Sequence, residues 1–295
     1  MKPRLTSAAR HVIGYGLVLP LILLAIALQV LIFGPLLQNR RTLPRLIFRL
    51  CALPFGVHFR LNPASAPFAT HRTTLFLSNH LSRLDFAGLY LFPDAAMMMN
   101  AMFFRMAVLG PVIRAFAASA GIVGTEQTLA GKARDLEQLA LATDQGRHLF
   151  IYAEGIQTDG RRLLRYSQGV AELFYDPAIL ARHPALATAQ VQPVIYRVQS
   201  VNGSDVLTTP DAWAPYSLAS GRSSIFAGMS RLTGVGTLTI DILVCAPLDP
   251  HDYANAADLT AAAHEVALAI IAPGQTRTMT RRQWKQRLDL RDFSL

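Results

Sequence analysis

Residues 73–85 read Thr73-Thr74-Leu75-Phe76-Leu77-Ser78-Asn79-His80-Leu81-Ser82-Arg83-Leu84-Asp85. The first six are β-branched, apolar or small, which predicts a strand over Thr73 to Ser78. That strand delivers a His at its end, and an Asp follows five positions later. A carboxylate so spaced can hold one imidazole nitrogen and leave the other to take a proton from a hydroxyl, as an oriented general base does. In a chain with 8 His the spacing alone is weak evidence, and its weight comes from its surroundings.

Downstream, strand and helix signals alternate. Phe86 to Leu91 begins a helix, and the Met-rich apolar run from Ala95 to Ala118 reads as helical. Ala130 to Thr143 forms an amphipathic helix, Arg147 to Ala153 a buried strand, Gln190 to Val198 and Thr237 to Cys245 further strands, and Asp258 to Ile271 a closing helix. This order predicts an α/β fold: a mixed, mostly parallel sheet flanked by helices. Ligands in such sheets bind where strands end and loops begin. His80 falls at one such end and Glu154-Gly155 at another, after Leu149-Phe150-Ile151-Tyr152-Ala153. The Gly permits a sharp turn. The carboxylate can hydrogen-bond substrate hydroxyls or cap the next helix.

Upstream, residues 12–38 contain no Asp, Glu, Lys or Arg and are dense in Leu, Ile and Val. As a helix they would extend roughly 40 Å, enough to cross a hydrocarbon core of about 30 Å with tilt. Pro20 and Pro35 suit a kinked span or a re-entrant pair. The apolar run continues well past the small residues Ala25-Ile26-Ala27, which favours a membrane-embedded anchor over a cleaved signal. Leu43 to Leu61, broken by Arg45, Arg49, His58 and Arg60, suits a helix lying in the interface. The division expected is 1–60 for the membrane anchor and interfacial helix, 61–275 for a catalytic domain, and 276–295 for a basic tail. Lys2, Arg4 and Arg10 precede the anchor, and Arg40, Arg41, Arg45 and Arg49 follow it. That count leans toward an inner-membrane location with the catalytic domain on the cytoplasmic side.

The whole chain of 295 residues is 52% hydrophobic and 16% charged, with a net charge of +9. A basic surface attracts anionic headgroups. No aromatic-basic interleave or nucleic-acid motif accompanies it, so nucleic acid is not expected as a partner. Cys51 and Cys245 lie in apolar surroundings and read as buried thiols, and the chain has no metal-ligand spacing.

The ordered set of motifs resembles the glycerol-phosphate/lysophosphatidate acyltransferase superfamily. Asn79, His80 and Asp85 match its Asn-His-x4-Asp motif. Tyr152 to Thr158 stands where Phe-Pro-Glu-Gly-Thr-Arg-Ser is usual, followed by Asp159-Gly160-Arg161 and Gly169. Val191-Gln192-Pro193-Val194-Ile195 matches a fourth, Pro-centred strand. The resemblance covers roughly Leu61 to Ala272. It implies direct acyl transfer from an acyl thioester (acyl-CoA or acyl carrier protein as co-substrate) to a lysolipid hydroxyl. No cofactor, metal or covalent acyl-enzyme is implied, and membrane lipids are the other partner. His80 and Asp85 would be catalytic, with backbone amides after His80 as oxyanion donors. Asn79 and Arg83 would shape the pocket, and Glu154, Gly155 and Arg161 would bind the acceptor. The Met97–Met106 segment could line an acyl groove or belong to the core.

Two departures bear on the acceptor. Gly121 to Gln127 ends in Glu126-Gln127 where Asp and Arg are usual, and Ile156-Gln157 replaces Thr-Arg. A Gln cannot supply the charge of an Arg fork. Either the phosphate clamp has moved, with Arg161, Arg162 and Arg165 nearby, or the acceptor lacks a phosphate monoester, as a lyso-ornithine lipid does. Two other functions compete. A hydrolase would need a nucleophile elbow, and the chain has no Gly-x-Ser-x-Gly. A non-catalytic lipid-binding protein of the same fold would have no need of the His80–Asp85 pair.

Overall fold

In the computed structural model, which describes Ala9 and residues 12–82, 84–107, 109–126, 131–158, 163–206 and 236–271, the chain builds a single mixed sheet. Its strands are β1 (Val57–Leu61), β2 (Thr74–Ser78), β3 (Ala95–Asn100), β4 (Val123–Thr125), β5 (His148–Tyr152), β6 (Gln190–Val201), β7 (Ser204–Asp205) and β8 (Leu238–Val244). The α-helices are α1 (Leu19–Leu28), α2 (Thr42–Ala52), α3 (Gly110–Ala120), α4 (Lys132–Asp144), α5 (Pro177–Arg182) and α6 (Ala256–Ile271). The strand order is β1-β8-β6-β2-β5-β3-β4, with β7 on β6. β6 runs antiparallel to β8 and β7, and every other neighbouring pair is parallel.

The mostly parallel character explains the sequence pattern. Strands covered on both faces are apolar on both faces, and every residue of β2 is buried. Phe76, Phe150 and Tyr196 point to one side, where Ile47 and Ala52 of α2 and the 3-10 segment Asp85–Leu91 pack. Leu75, Leu77, Leu149, Ile151 and Ile195 point to the other, against Leu136 and Leu139 of α4 and Leu259 and Ala263 of α6. β2 and β5 are neighbours in the middle of the sheet, so the loops leaving their C-terminal ends meet.

Two segments depart from their sequence reading. The run Ala95–Asn100 is a strand, paired in parallel with β5 through Ala95↔His148 and Met97↔Phe150, and the helix expected there begins only at Gly110. Ala and Met favour helix locally, but the unfilled edge of β5 overrides that preference. Asn100 then caps a 3-10 turn by accepting from the Met102 amide at 2.8 Å. Likewise the interfacial helix expected through Leu61 stops at Ala52. Gly56 turns the chain with a left-handed φ of 64°, and Val57–Leu61 joins β8 as an edge strand. Cys51 and Cys245 are free, and burial raises their thiols to about 12 and about 11.

The N-terminal apolar segment is helical. π-helical turns at Gly14–Val18 and Gln29–Phe33 flank α1, and Gly16–Phe33 is long and apolar enough to cross a membrane. It does not stand clear of the body. Val18, Ala25 and Gln29 are buried, and Ile22, Ile26 and Val30 pack on the core, an i, i+4, i+7 stripe along its length. Gln29 Nε2 donates to the Asn39 carbonyl at 2.9 Å and the Ser119 carbonyl at 3.2 Å. Leu17, Leu21, Leu24 and Leu31 face outward and are exposed.

Gly121 closes α3 at a φ of 67°. The Arg147 guanidinium donates to the carbonyls of Ala120 and Gly121, so a Cβ on Gly121 would fall 1.7 Å from Arg147 Nη1. Gly121→Ala therefore meets both a strained φ and a clash with a buried side chain. It should cost about 2 kcal/mol or more, read as a lowered thermal midpoint by circular dichroism.

Candidate active site

His80 leaves the sheet two residues after β2 ends; the loop after β5 grips its backbone, and β6 holds the residue before it. Its amide donates to Glu154 Oε2 at 2.6 Å. Its carbonyl accepts from the Thr158 amide at 2.8 Å. The preceding residue, Asn79, is 1% exposed, and its side-chain amide pairs with the backbone of Tyr196: Nδ2 donates to the carbonyl at 2.9 Å and Oδ1 accepts from the amide at 2.8 Å. Asn79, expected to shape the substrate pocket, thus pins the loop that carries His80 to β6.

The imidazole is equally fixed. Nδ1 lies 2.8 Å from Asp85 Oδ2. The same oxygen accepts the amides of Leu81 at 2.6 Å and Ser82 at 2.8 Å. Asp85 is fully buried, and these donors compensate the loss of water around its carboxylate. With a carboxylate as its partner, Nδ1 carries the proton, and Nε2 is left as the acceptor. The Tyr152 ring stacks on the imidazole with centroids 4.1 Å apart and an interplanar angle of 14°. Nε2 lies 3.0 Å from the side-chain nitrogen of Gln157. The spacing of five thus places an oriented base with one nitrogen tied and the other turned toward Gln157.

Among the described residues, the backbone amides just after His80 do not fit the oxyanion role expected of them. Those of Leu81 and Ser82 are taken by Asp85, and the Leu84 amide donates to Ser82 Oγ at 3.1 Å. A carboxylate four residues ahead of Leu81 and three ahead of Ser82 collects their two amides to tighten its own turn.

Glu154 is fully buried. One oxygen holds the His80 amide and the other accepts the Leu164 amide at 2.7 Å. Both oxygens serve the protein backbone, so its placement is that of a tie between two loops. Gly155 follows at a φ of 69°, a conformation that favours glycine. The structure brings together His80, Asp85, Asn79, Glu154 and Gly155. Arg83, Arg161, Arg162 and Gln127 lie outside the described residues. The stacked Tyr152 and the contact from Gln157 were not assigned roles from sequence. Their signal was position: Tyr152 ends β5 beside β2, and Gln157 occupies the Arg position of the motif.

Residues 64–197 match the family model described as Acyltransferase. In fold, the chain is similar to the 1-acyl-sn-glycerophosphate (LPA) acyltransferase PlsC from Thermotoga maritima. The TM-score is 0.55 at 13% identity, over 92% of this chain and 98% of that one. No curated protein matches the sequence. Residues 64–197 thus carry the pattern of the Acyltransferase family, and the chain shares the fold of that solved structure.

Asp85→Asn should keep the ring in place yet lose the acceptor that fixes its tautomer, lowering acyl transfer by about two to four orders of magnitude. Glu154→Gln presents an NH2 to a backbone N–H and should destabilise the fold by roughly 1–3 kcal/mol. A thermal melt read beside an activity assay separates the two, since the Asp85 variant should show the larger loss of turnover.

Proposed function

We propose that the chain transfers a fatty acyl group from an acyl thioester, on coenzyme A or acyl carrier protein, to the free hydroxyl of a lysophospholipid or related lysolipid at a membrane surface. The observation that carries this is the His80–Asp85 pair, fixed at 2.8 Å with Nε2 as the remaining acceptor. His80 Nε2 takes the proton of the acceptor hydroxyl as its oxygen attacks the thioester carbonyl. The carbon–oxygen bond forms, the tetrahedral intermediate collapses, and the carbon–sulfur bond breaks. The departing thiolate takes the proton from Nε2, so the ring ends as it began. Gln157 occupies the hydrogen-bonding position on Nε2 and must yield it to the acceptor.

The membrane setting is supported by the outward leucines of the N-terminal helix and its packed inner stripe. A helix held along its length to the body presents one apolar face to lipid, which suits seating beside the bilayer where the lysolipid resides. The cytoplasmic face of the inner membrane is the side favoured by the flanking arginines.

An acceptor without a phosphate monoester is the second reading. It is favoured by Gln157, an uncharged amide beside His80 where the family usually has a guanidinium.

The test uses purified full-length protein in detergent micelles, a radiolabelled acyl thioester, and a panel of lysophosphatidate, lysophosphatidylcholine and lyso-ornithine lipid. Labelled diacyl product from wild type, reduced roughly 10²–10⁴-fold in a folded His80→Ala, is the expected result. Release of free fatty acid without any acylated acceptor would overturn the transfer reading in favour of hydrolysis. Gln157→Arg should shift preference toward lysophosphatidate. An unchanged preference would remove Gln157 from the determinants of acceptor choice.

A further inference from the structure

At the opposite end of the sheet from His80 lies a cleft lined by four arginines. Arg40, Arg41 and Arg45 come from the N-terminal end of α2 and the residues before it. Arg147 comes from the residue before β5, and Asp94, just before β3, is the cleft's one carboxylate. β2 and β5 run parallel from this end toward His80, and the five residues of β2 put the cleft roughly 17 Å or more from the catalytic ring.

The four guanidinium groups are poorly neutralised. Arg147, its side chain 6% exposed, reaches Asp94 Oδ1 only at 3.3 Å, and its buried Nε–H has no hydrogen-bond partner. Arg45 donates to the Phe92 carbonyl, and Arg40 to Gln145 Oε1 at 2.8 Å, both uncharged acceptors. The Arg41 side chain is exposed and makes no hydrogen bond or ion pair among the described residues. Arg41 and Arg45 also sit at the N-terminus of α2, with no acid in its first turn. A helix start carries partial positive charge, and cations there are unfavourable. Burial, and after it the charge of Arg41, lowers the basicity of Arg45. Burial does the same to Arg147, with Asp94 opposing and Arg40 adding. An anion among these donors would offset their burial and their mutual repulsion.

The surroundings name the anion's source. The apolar helix ends at Phe33, and the exposed Leu36 and Leu37 lead directly to Arg40. Exposed leucines that give way to arginines mark the boundary between acyl chains and headgroups. We propose that this cleft is a second, non-catalytic site that takes a phosphate group, presented by the headgroup of an anionic lipid. It would seat the sheet's N-terminal edge on the membrane.

The test needs no turnover, so it stands or falls apart from acyl transfer. Full-length protein in a neutral detergent is titrated with dihexanoyl-phosphatidylglycerol, with dihexanoyl-phosphatidylcholine and with inorganic phosphate, and the thermal midpoint is followed. Wild type should be stabilised by the anionic lipid at far lower concentration than by the zwitterionic one. Arg40→Gln/Arg41→Gln should need roughly 10- to 30-fold more of the anionic lipid. Arg49→Gln/Arg114→Gln removes the same charge from exposed positions of α2 and α3 and should titrate as wild type. Should the first double variant fail to fold, Arg41→Gln alone tests the site, because its guanidinium supports nothing else. Inorganic phosphate acting as strongly as the lipid would replace the headgroup by a free anion as the occupant. A cleft variant that titrates as wild type, or a control that loses as much, would overturn the site.

Discussion

The active-site end of this molecule depends on one buried carboxylate. Glu154 is fully buried, and its oxygens accept amides from two different loops, at His80 and at Leu164. Charge-assisted bonds of this kind are strong where water is absent, and either amide would be costly to strand. The tie is possible because β2 and β5 are adjacent and parallel, so both chain exits lie at the same end of the sheet. Asp85 repeats the device on a smaller scale, using two amides of its own turn and the imidazole. His80 is therefore held by two buried carboxylates that gather backbone amides, with the Tyr152 ring stacked on the imidazole.

Much of this was legible in the chain. The strand over Thr73 to Ser78, the alternation of elements and the His80–Asp85 spacing are local patterns, and the structure has that strand over Thr74–Ser78, the mixed sheet and a 2.8 Å contact. The Met97–Met99 segment was not legible as a strand, because its residues favour helix and only the exposed edge of β5 makes them extend. Val57–Leu61 was hidden for a similar reason: its partner in β8 lies far along the chain. The task of Glu154 could not be seen either. A strand-end carboxylate looks the same in sequence whether it faces a ligand or two backbone amides.

The basic balance of the chain has a spatial arrangement that composition could not reveal. Arginines from residues 40–45 and from residue 147 converge at one end of the sheet, while the His80–Asp85 site occupies the other. The N-terminal helix lies against the body between these ends, from Gly14, whose Cβ position falls 2.8 Å from Pro54, to Gly34 beside Ser119. Its inner stripe is as much part of the core as the strands are.

The stacking of Tyr152 on His80 constrains the order of events. A ring covered at 4.1 Å and tied at Nδ1 cannot turn over during a reaction cycle. One nitrogen must then accept the incoming proton and deliver the outgoing one. In the acyl transfer proposed above, acceptor oxygen and leaving sulfur therefore both come to Nε2, one after the other, and neither can be served from the other side of the ring.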